Sequence, residues 1–341
     1  MRLKTIALLI GFTLLGILGC RPSAQRDFPI DLVYLWVDGS DPVWRQKKEY
    51  WQKQLGITVP YAVSDARFRD REELKHSLRS VEKYLPWVRT VYIVTDNQIP
   101  SWLNTRHPKI KVVFHQEIFP PEALPVFNSS AIETRLAYIP GLAEHFIYTN
   151  DDVFVNKPLT PDFFFTPDGK PIYYSDERVA KQIRLWLPLP ANKLVKEISD
   201  FNDEVFEKVY HMKPQELAAY GDTHTMTAYR KSDYLENGKI LGDYWKNTTY
   251  SKFRTRTDLH RGMMVLPDHA KGKNIIKNAL NLTQFHCGVS GYMVVWDVDE
   301  LRTENPCLFC LNDAPGLSEE ASWAHTQYLR KRFPKKSKFE K

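Results

Sequence analysis

Two adjacent aspartates interrupt an apolar stretch near the middle of the chain, at 146–155 in the sequence FIYTNDDVFV. Aliphatic and aromatic residues on both sides predict a buried strand that breaks where it reaches a cleft. Proteins usually bind Mg²⁺ through one or two carboxylates together with substrate phosphates and water. Asp151 and Asp152 are therefore candidate metal ligands. The alternative is a turn, in which Asn150 and Asp152 hydrogen-bond their own backbone.

A second pair of acids, Asp38 and Asp41, follows an apolar run of strand length at 29–37, PIDLVYLWV. Such a run is typical of a strand in a mostly parallel sheet that is covered on both faces. The carboxylates then lie just beyond the carboxyl end of the strand, where open α/β sheets bind their ligands. The alternative is a turn that ends the strand and caps a helix starting near Pro42, which explains Asp41 better than Asp38.

Basic side chains with a chemical use occur in the second half of the chain, at 223–230 with His224 and at 252–258 with Arg254. A guanidinium group offers planar, bidentate donors suited to a diphosphate. An imidazole changes protonation near neutral pH. The alternatives are a solvated arginine face and a histidine at the surface or in the core.

The elements that must position these residues follow from periodicity. Asp70 and Glu73 fit a capping box, and a core-facing helix stripe follows at three- and four-residue spacing, with basic side chains on its other side. The stripe is Leu74, Leu78, Val81 and Leu85, and the basic side is Lys75, His76, Arg79 and Lys83. Strands at 91–94 and 111–115 and a helix start at 127–133, capped by Asn128 or by a box of Ser130 and Glu133, complete a βαβ pattern.

Beyond residue 165 the chain becomes richer in proline, which predicts a looser lobe along one wall of the cleft. A strand at 290–296, a turn at 310–313 and an amphipathic helix at 318–332 are expected there. The predicted division is a signal peptide or anchor at 1–20, a linker at 21–29, an α/β core at 30–165 and the second lobe at 166–341.

Composition narrows the class of protein. The 341 residues are 43% hydrophobic and 26% charged, as in an ordinary globular protein. The net charge of +6 favours an anionic partner, and its densest run, 330–336, is more typical of solvent or anionic lipid than of a nucleic-acid site. No zinc-finger or RNA-binding signature occurs.

The amino terminus has the features of an export or membrane signal. A basic start precedes an apolar stretch at 6–18, shorter than the roughly 20 residues of a spanning helix. Cys20 ends a stretch that resembles a bacterial lipobox, so lipidation there and an uncleaved anchor are both open. Cys307 and Cys310 form a lone Cys-x-x-Cys, which fits a redox pair, a disulfide or buried thiols and does not predict a zinc site.

Four blocks of the sequence resemble the Stealth family of sugar-1-phosphate transferases, which make bacterial capsules and exopolysaccharides and modify animal lysosomal enzymes. The first block is 30–42. The second runs from Arg67 to Val153, and the third lies around His224 and Arg254. The fourth is CLND at 310–313, with Phe333-Pro334 and Phe339-Glu340. These blocks occur in the family's order over nearly the whole chain beyond residue 29. The resemblance implies a Rossmann-like or GT-A-like sheet that binds a nucleotide sugar, beside an irregular second lobe.

The resemblance also implies a chemistry. A UDP-sugar would donate its sugar 1-phosphate to a glycan hydroxyl and release UMP, with Mg²⁺ or Mn²⁺ on Asp151 and Asp152. Arg254 would stabilise the transferring phosphoryl group, and His224 would act as base or as hydrogen-bond donor. The remaining site residues would contact the nucleotide or complete the site: Asp38, Gly39, Asp41, Arg69, Asp70, Asn312 and Asp313.

Two other functions fit the same residues. A metal-dependent glycosyltransferase would attack the anomeric carbon and release UDP instead of UMP. A non-catalytic, exported carbohydrate-binding lipoprotein would bind the donor without turnover. Membrane association through the amino terminus is expected, whereas the side of the membrane and the oligomeric state are open.

Overall fold

The computed structural model describes residues 27–175, 193–213, 224–279, 283–287, 298, 301–303, 305–313 and 319–341. The amino-terminal segment 1–26 and the predicted strand at 290–296 lie outside these residues. Among the helices that are described, none has the length and apolar character needed to cross a bilayer.

The predicted strands at 29–37, 91–94 and 111–115 are confirmed with shifts of one or two residues, and the run 146–155 forms two strands. The strands are β1 (Ile30–Leu35), β2 (Val91–Thr95), β3 (Ile110–Phe114), β4 (His145–Asn150), β5 (Val153–Val155), β6 (Ile172–Ser175), β7 (Thr227–Arg230), β8 (Ile275–Asn278), β9 (Thr283–Cys287) and β10 (Leu308–Asn312). The segment 310–313, predicted as a turn, lies largely in β10. β6, β7, β8 and β9 were not predicted, because these segments of four or five residues carry too little pattern to identify a strand.

The helices include those predicted near Pro42, after Asp70, at 127–133 and at 318–332. They are α1 (Pro42–Gln54), α2 (Pro60–Val63), α3 (Glu73–Tyr84), α4 (His115–Ile118), α5 (Ser129–Glu133), α6 (Lys193–Tyr210), α7 (Lys231–Leu241), α8 (Asp243–Thr249), α9 (Leu266–Ala270) and α10 (Glu319–Arg332). Single 3₁₀ turns lie at Asp65–Arg67, Pro121–Ala123, Leu136–Tyr138, Pro161–Phe163 and Arg261–Met264.

A five-stranded sheet in the order β3-β2-β1-β4-β7 forms the centre of the fold. The first four strands are parallel and β7 is antiparallel to β4. The order 3-2-1-4 is that of nucleotide-binding doubly wound sheets. The predicted α/β class with a mostly parallel sheet is therefore confirmed. The domain boundary at residue 165 stays a prediction.

Both faces of this sheet are covered, as the apolar run of β1 predicts. Leu32 and Tyr34 point into one core, which α3 and β5 complete, whereas Val33 and Leu35 point into a second core on the opposite face. Successive strand residues point to opposite faces, so a strand covered on both sides is mostly apolar, and Asp31 is the one charged residue of β1. The six residues of β1 are all buried.

The apolar run 146–155 serves two sheets. β4 lies in the central sheet, and β5 pairs antiparallel with β10 in a three-stranded sheet of order β5-β10-β9. The break between β4 and β5 falls on the Asn-Asp-Asp step, as predicted. Asp151 and Asp152 therefore lie in the turn that joins the two sheets.

Candidate active site at the carboxyl ends of the parallel strands

β1 and β4 deliver their acidic residues to the same edge. The two strands are parallel neighbours, with Leu35 opposite Asn150. Because the strands end side by side, Asp38 and Asp151 leave the sheet at the same edge. This edge is where doubly wound sheets bind ligands.

The turn after β1 is fixed by its own polar groups. Asp38 Oδ1 accepts hydrogen bonds from the Ser40 amide at 2.8 Å and the Ser40 hydroxyl at 2.6 Å. Gln98 accepts from the Asp38 amide at 2.9 Å and donates to Asp41 Oδ2 at 3.0 Å. Asp41 Oδ1 accepts from the Val43 amide at 2.9 Å and so caps α1. The contacts of Asp41 account for a structural role, and its role toward a ligand stays a prediction.

Gly39 brings the loop 65–72 against this turn. Its amide donates to the Phe68 carbonyl at 2.6 Å. A Cβ on residue 39 would lie 2.4 Å from that oxygen, which is closer than atoms can approach. The glycine is therefore required by the backbone of the loop, and its sequence position beside Asp38 gave no sign of this.

The loop places two arginines on Asp313. Arg69 Nη1 lies 3.0 Å from Asp313 Oδ2, and Arg71 Nη1 lies 3.2 Å from Asp313 Oδ1. These ion pairs join the loop to the end of β10, as the predicted grouping of Arg69 with Asp313 requires. The side chain of Asn312 lies outside the described residues.

The predicted capping box of α3 is wrong. The residue that precedes the helix is Glu72, in the left-handed conformation with φ of 70°. Asp70 accepts from the Glu72 amide at 3.0 Å, and the Glu73 carboxylate accepts from the Arg71 amide. The two acids thus hold the turn before the helix, and they lie among the acids of the site.

Acidic side chains crowd together at the strand ends. Burial raises the pKa of Asp151 well above its ordinary value, and the charges of Asp152, Glu73 and Asp70 raise it further. Burial, with the charges of Asp70 and Asp152, raises the pKa of Glu73 to about 8. Burial also raises the pKa of Asp70. We call Asp70, Glu73, Asp151 and Asp152 the acidic cluster. Such crowding disfavours the ionised carboxylates unless a cation joins them.

Asp152 lies in a group of three different donors. One ligand atom each of Asp152, His224 and Cys310 lies within 4.8 Å of the others. Pairing of β10 with β5 places Cys310 opposite Val153, and the Leu311 amide donates to the Asp152 carbonyl at 2.9 Å. Sequence reasoning missed Cys310 at this position because it was considered only as a partner of Cys307. Both cysteines are free thiols.

The residues present fit a divalent metal ion. Asp152 Oδ1 is buried and has no hydrogen-bond partner, which is unusual for a buried carboxylate oxygen. Burial raises the pKa of Asp152 to about 6, although the Cys310 thiol lowers it by donating a hydrogen bond. Asp151 does not belong to this group of three, but among the charges that raise its pKa that of Asp152 is the largest, ahead of Glu73 and Asp70. The two predicted aspartates therefore lie close together.

Different contacts hold the side chains of His224 and Arg254. His224 has a φ of 48°, and its Nε2 lies 3.5 Å from Asn150 Nδ2. Arg254 Nη2 donates to the Ser129 hydroxyl at 2.5 Å, at the start of α5. The far end of α5 carries Glu133, whose Oε1 accepts from the Tyr148 hydroxyl at 2.8 Å. The Tyr148 hydroxyl also lies 2.8 Å from Asn150 Oδ1. Polar contacts through α5, Tyr148 and Asn150 therefore connect Arg254 to His224.

Comparison with known proteins identifies the family. Residues 28–56 match Stealth protein CR1, conserved region 1, and residues 67–173 match Stealth protein CR2, conserved region 2. The chain is 37% identical over 251 residues to the exopolysaccharide phosphotransferase cps2G of Lactiplantibacillus plantarum and covers 72% of its length. The chain belongs to the Stealth family.

Other Stealth proteins are similar to different extents. The capsular polysaccharide phosphotransferase fcs1 of Haemophilus influenzae is 36% identical over 253 residues, which are 73% of this chain and 67% of that protein. An exopolysaccharide phosphotransferase of Streptomyces coelicolor is 40% identical over 234 residues, 68% of this chain. The chain spans only 41% of the length of that relative.

Among solved structures, the galactosyltransferase LgtC in complex with donor and acceptor sugar analogs has a TM-score of 0.44 and 12% identity. That alignment covers 89% of this chain and 95% of the other.

Proposed function

We propose that this Stealth protein transfers a sugar 1-phosphate from a UDP-sugar to a hydroxyl group of a glycan acceptor and releases UMP, in capsule or exopolysaccharide synthesis. The names of its relatives support transfer of a phosphate-containing group. The observation that carries the proposal is the meeting of Asp152 with His224 beside the acidic cluster, at the carboxyl edge of the sheet. Carboxylates at this edge suit a metal-bound diphosphate.

Asp151 and Asp152 would hold Mg²⁺ or Mn²⁺, with the Cys310 thiol as a hydrogen-bond donor that orients Asp152. Mg²⁺ prefers oxygen ligands, which favours the carboxylates over the thiol. A bound metal ion would neutralise part of the charge of the donor's diphosphate. Glu73 and Asp70 would add negative charge around the ion.

The side chains of the protein would carry out the remaining work. His224 would accept the proton of the acceptor hydroxyl as its oxygen bonds to the β-phosphorus. The bond between that phosphorus and the bridging oxygen breaks, and the oxygen leaves with UMP. Arg254 would donate hydrogen bonds to the phosphoryl oxygens in the transition state. Asp38 would contact the donor from the turn after β1.

The test is the identity of the nucleotide product. The full chain is incubated with a panel of UDP-sugars, glycan acceptors and Mg²⁺ or Mn²⁺, and mass spectrometry follows UMP and UDP. We expect UMP, loss of turnover on adding EDTA, and its return with added metal. Release of UDP would instead identify a glycosyltransferase. Donor binding without turnover across the acceptors would identify a carbohydrate-binding protein.

The role of His224 is tested separately from metal binding. His224→Ala is expected to reduce UMP release by about a hundredfold or more, while the affinity for Mn²⁺, measured by electron paramagnetic resonance, changes by less than about threefold. A large loss of Mn²⁺ affinity would show that His224 is a metal ligand and not the base.

We also propose that residues 1–20 attach the protein to a membrane, through an uncleaved apolar segment or a lipid on Cys20. The support is the basic and apolar character of this segment and the basic run 330–336. Membrane fractionation of the full chain and of Cys20→Ala, with mass spectrometry of the amino-terminal peptide, tests this. Recovery of both proteins only in the soluble fraction would contradict membrane attachment.

A further inference from the structure

Two guanidinium groups lie around one tyrosine, Tyr61. The Arg67 guanidinium carbon lies 4.2 Å from the centre of the Tyr61 ring, and that of Arg254 lies 5.4 Å from the same ring. Arg254 Nη1 also donates to the Tyr61 hydroxyl at 3.2 Å, and its Nη2 donates to Ser129. The hydrogen bonds fix the orientation of Arg254, and the ring holds Arg67 close to it.

Neighbouring acids in the described part of the chain are committed elsewhere. Asp65 pairs with Lys48 at 3.1 Å. Asp258 accepts from Asn128 Nδ2 at 2.7 Å and from the Thr255 amide at 2.9 Å. Within residues 27–175 and 224–279, no carboxylate lies within 4.0 Å of a guanidinium nitrogen of Arg67 or Arg254. Within the described residues, the two like charges therefore lie together without a carboxylate partner.

This arrangement is unfavourable for the protein alone. Burial lowers the pKa of Arg67 to about 10, and the charge of Arg254 lowers it further. A half-buried cation next to a second cation is stabilised when an anion binds both, and planar guanidinium groups match the oxygens of a phosphate. A phosphoryl group is therefore the ligand whose chemistry fits the pair.

The location connects the pair to the proposed chemistry. Arg67 lies on the loop 65–72. The next residue of this loop, Phe68, contacts Gly39, and Arg69 forms an ion pair with Asp313. Arg254 touches the start of α5, and Glu133 at the other end contacts Tyr148. The loop 65–72 and α5 thus connect the pair to the turn after β1 and to Tyr148, whose hydroxyl donates to Asn150.

We propose that Arg67 and Arg254 together form a phosphoryl-binding site, with Tyr61 and Ser129 holding Arg254 in place. The site would bind either the phosphate of UMP or the phosphate of the sugar 1-phosphate. This identification of the two sources rests on the proposed function, whereas the binding of a phosphate-bearing ligand does not.

The experiment is isothermal titration calorimetry of the full chain in EDTA, so that no metal contributes to binding. The probes are UMP, N-acetylglucosamine 1-phosphate and inorganic pyrophosphate. Arg67→Gln is expected to lower the affinity for pyrophosphate, and for at least one of UMP and N-acetylglucosamine 1-phosphate, by about 10- to 100-fold. This is the effect of losing a charge-assisted hydrogen bond. Arg67→Lys keeps the charge and loses the planar fork, so a smaller loss is expected.

The matched control is Arg106→Gln, which removes the same charge from an exposed position away from the site. Its affinity for the three probes is expected to equal that of the unaltered protein. The probe that Arg67→Gln and Arg254→Gln both weaken identifies which half of the donor lies here.

Unchanged affinity for all three probes in Arg67→Gln and Arg67→Lys would overturn the proposal. If Arg67→Gln does not fold, as judged by circular dichroism, Arg67→Lys and Tyr61→Phe carry the test. Phosphate binding that depends on Arg67, in a protein that releases no UMP from any UDP-sugar, would support this site and reject the proposed function.

Discussion

The two ends of the central sheet hold buried acids in opposite electrostatic conditions. Near the amino end of β1, Asp31 is fully buried, and its carboxylate accepts hydrogen bonds from Arg89 Nε at 2.7 Å and from the Ala143 amide at 2.7 Å. At the carboxyl ends, the charges of Asp152 and Glu73 raise the pKa of Asp151, and the charge of Asp152 raises the pKa of Glu73. Asp31, whose charge is balanced by Arg89, stabilises the fold. In the described part of the chain, the crowded acids at the carboxyl ends have no such partner and are placed to bind a ligand.

The arginine pair extends the same comparison to positive charge. Arg89 binds a carboxylate of the fold, whereas Arg67 and Arg254 lie against each other and a tyrosine. Because Arg69 and Arg71 of the same loop do pair with Asp313, the loop is not simply short of acidic partners. Within the described residues, the two cations thus lack the carboxylate partner that Arg89 has.

The largest effect is expected at the acidic cluster. Asp152→Asn should reduce UMP release by about 10²- to 10⁴-fold, because a charged ligand for the metal is lost. The melting temperature should stay the same or rise, because one of several repelling carboxylates is removed. Turnover and thermal unfolding of the same preparation measure both quantities. A loss below about a hundredfold would count against a direct role.

The next largest effect is expected at the opposite end of β1. Asp31→Asn should lower the free energy of unfolding by about 2–3 kcal/mol, toward the lower end of the cost of breaking a buried ion pair, because Arg89 is 43% exposed. Chemical denaturation measures the change. Activity per folded molecule should be unchanged. A selective loss of activity would contradict the purely structural role of Asp31.

A smaller effect on both stability and activity is expected at the joint between β1 and the loop 65–72. Gly39→Ala places a Cβ 2.4 Å from the Phe68 carbonyl oxygen, so the loop must shift, at a cost of about 2 kcal/mol. We expect UMP release to fall by roughly tenfold as Arg67 moves.

The control for that shift is Gly56→Ala, where an added Cβ meets no atom within 4 Å but φ is 61°. It should cost about 1 kcal/mol of stability and leave activity unchanged. Equal activity losses in the two variants would show that the Gly39 contact does not position the loop.

The effect expected to be smallest near neutral pH concerns a titrating group outside the site. Burial lowers the pKa of His76 in α3 to about 4, and both ring nitrogens are buried without a hydrogen-bond partner. The folded protein therefore favours the neutral ring. The associated stability is present above pH 6.5 and is lost as the pH falls from about 6.5 to 4, by about 1.4 kcal/mol per pH unit for one proton.

His76→Leu should reduce the steepness of this loss while activity near neutral pH is kept. Chemical denaturation of both proteins at pH 7, 6, 5 and 4 measures the difference. The same pH dependence in the variant would assign the effect to another group.

Local patterns predicted the elements well where a single rule governs them. The apolar run of β1, the stripe of α3, the Asn128 cap of α5 and the terminal helix were all found, because burial on both faces, helical periodicity and capping are properties of neighbouring residues. His76 was expected among the outward-facing residues of α3 but is buried. The carboxyl-terminal segment causes this, since Glu340 binds Arg79 on the same helix.

The site was only partly predictable, because some of its contacts join residues far apart in the sequence. The aspartates after β1 and β4 could be placed at one edge, since parallel strands end together. Cys310 beside Asp152, and Arg67 beside Arg254, depend on contacts between residues more than 150 positions apart in sequence. No local spacing encodes such contacts. The cap predicted for Asp70 failed because Glu72 adopts a left-handed conformation that the capping pattern does not reveal.

The turn between β4 and β5 has a consequence for biosynthesis. Its aspartates are translated early, but Cys310 and Asp313 arrive some 160 residues later, and β5 has no partner until β10 exists. A ribosome-bound chain that ends before this point carries Asp151 and Asp152 without the strand that fixes them. The protein therefore cannot bring these aspartates together with Cys310 and Asp313 during most of its synthesis.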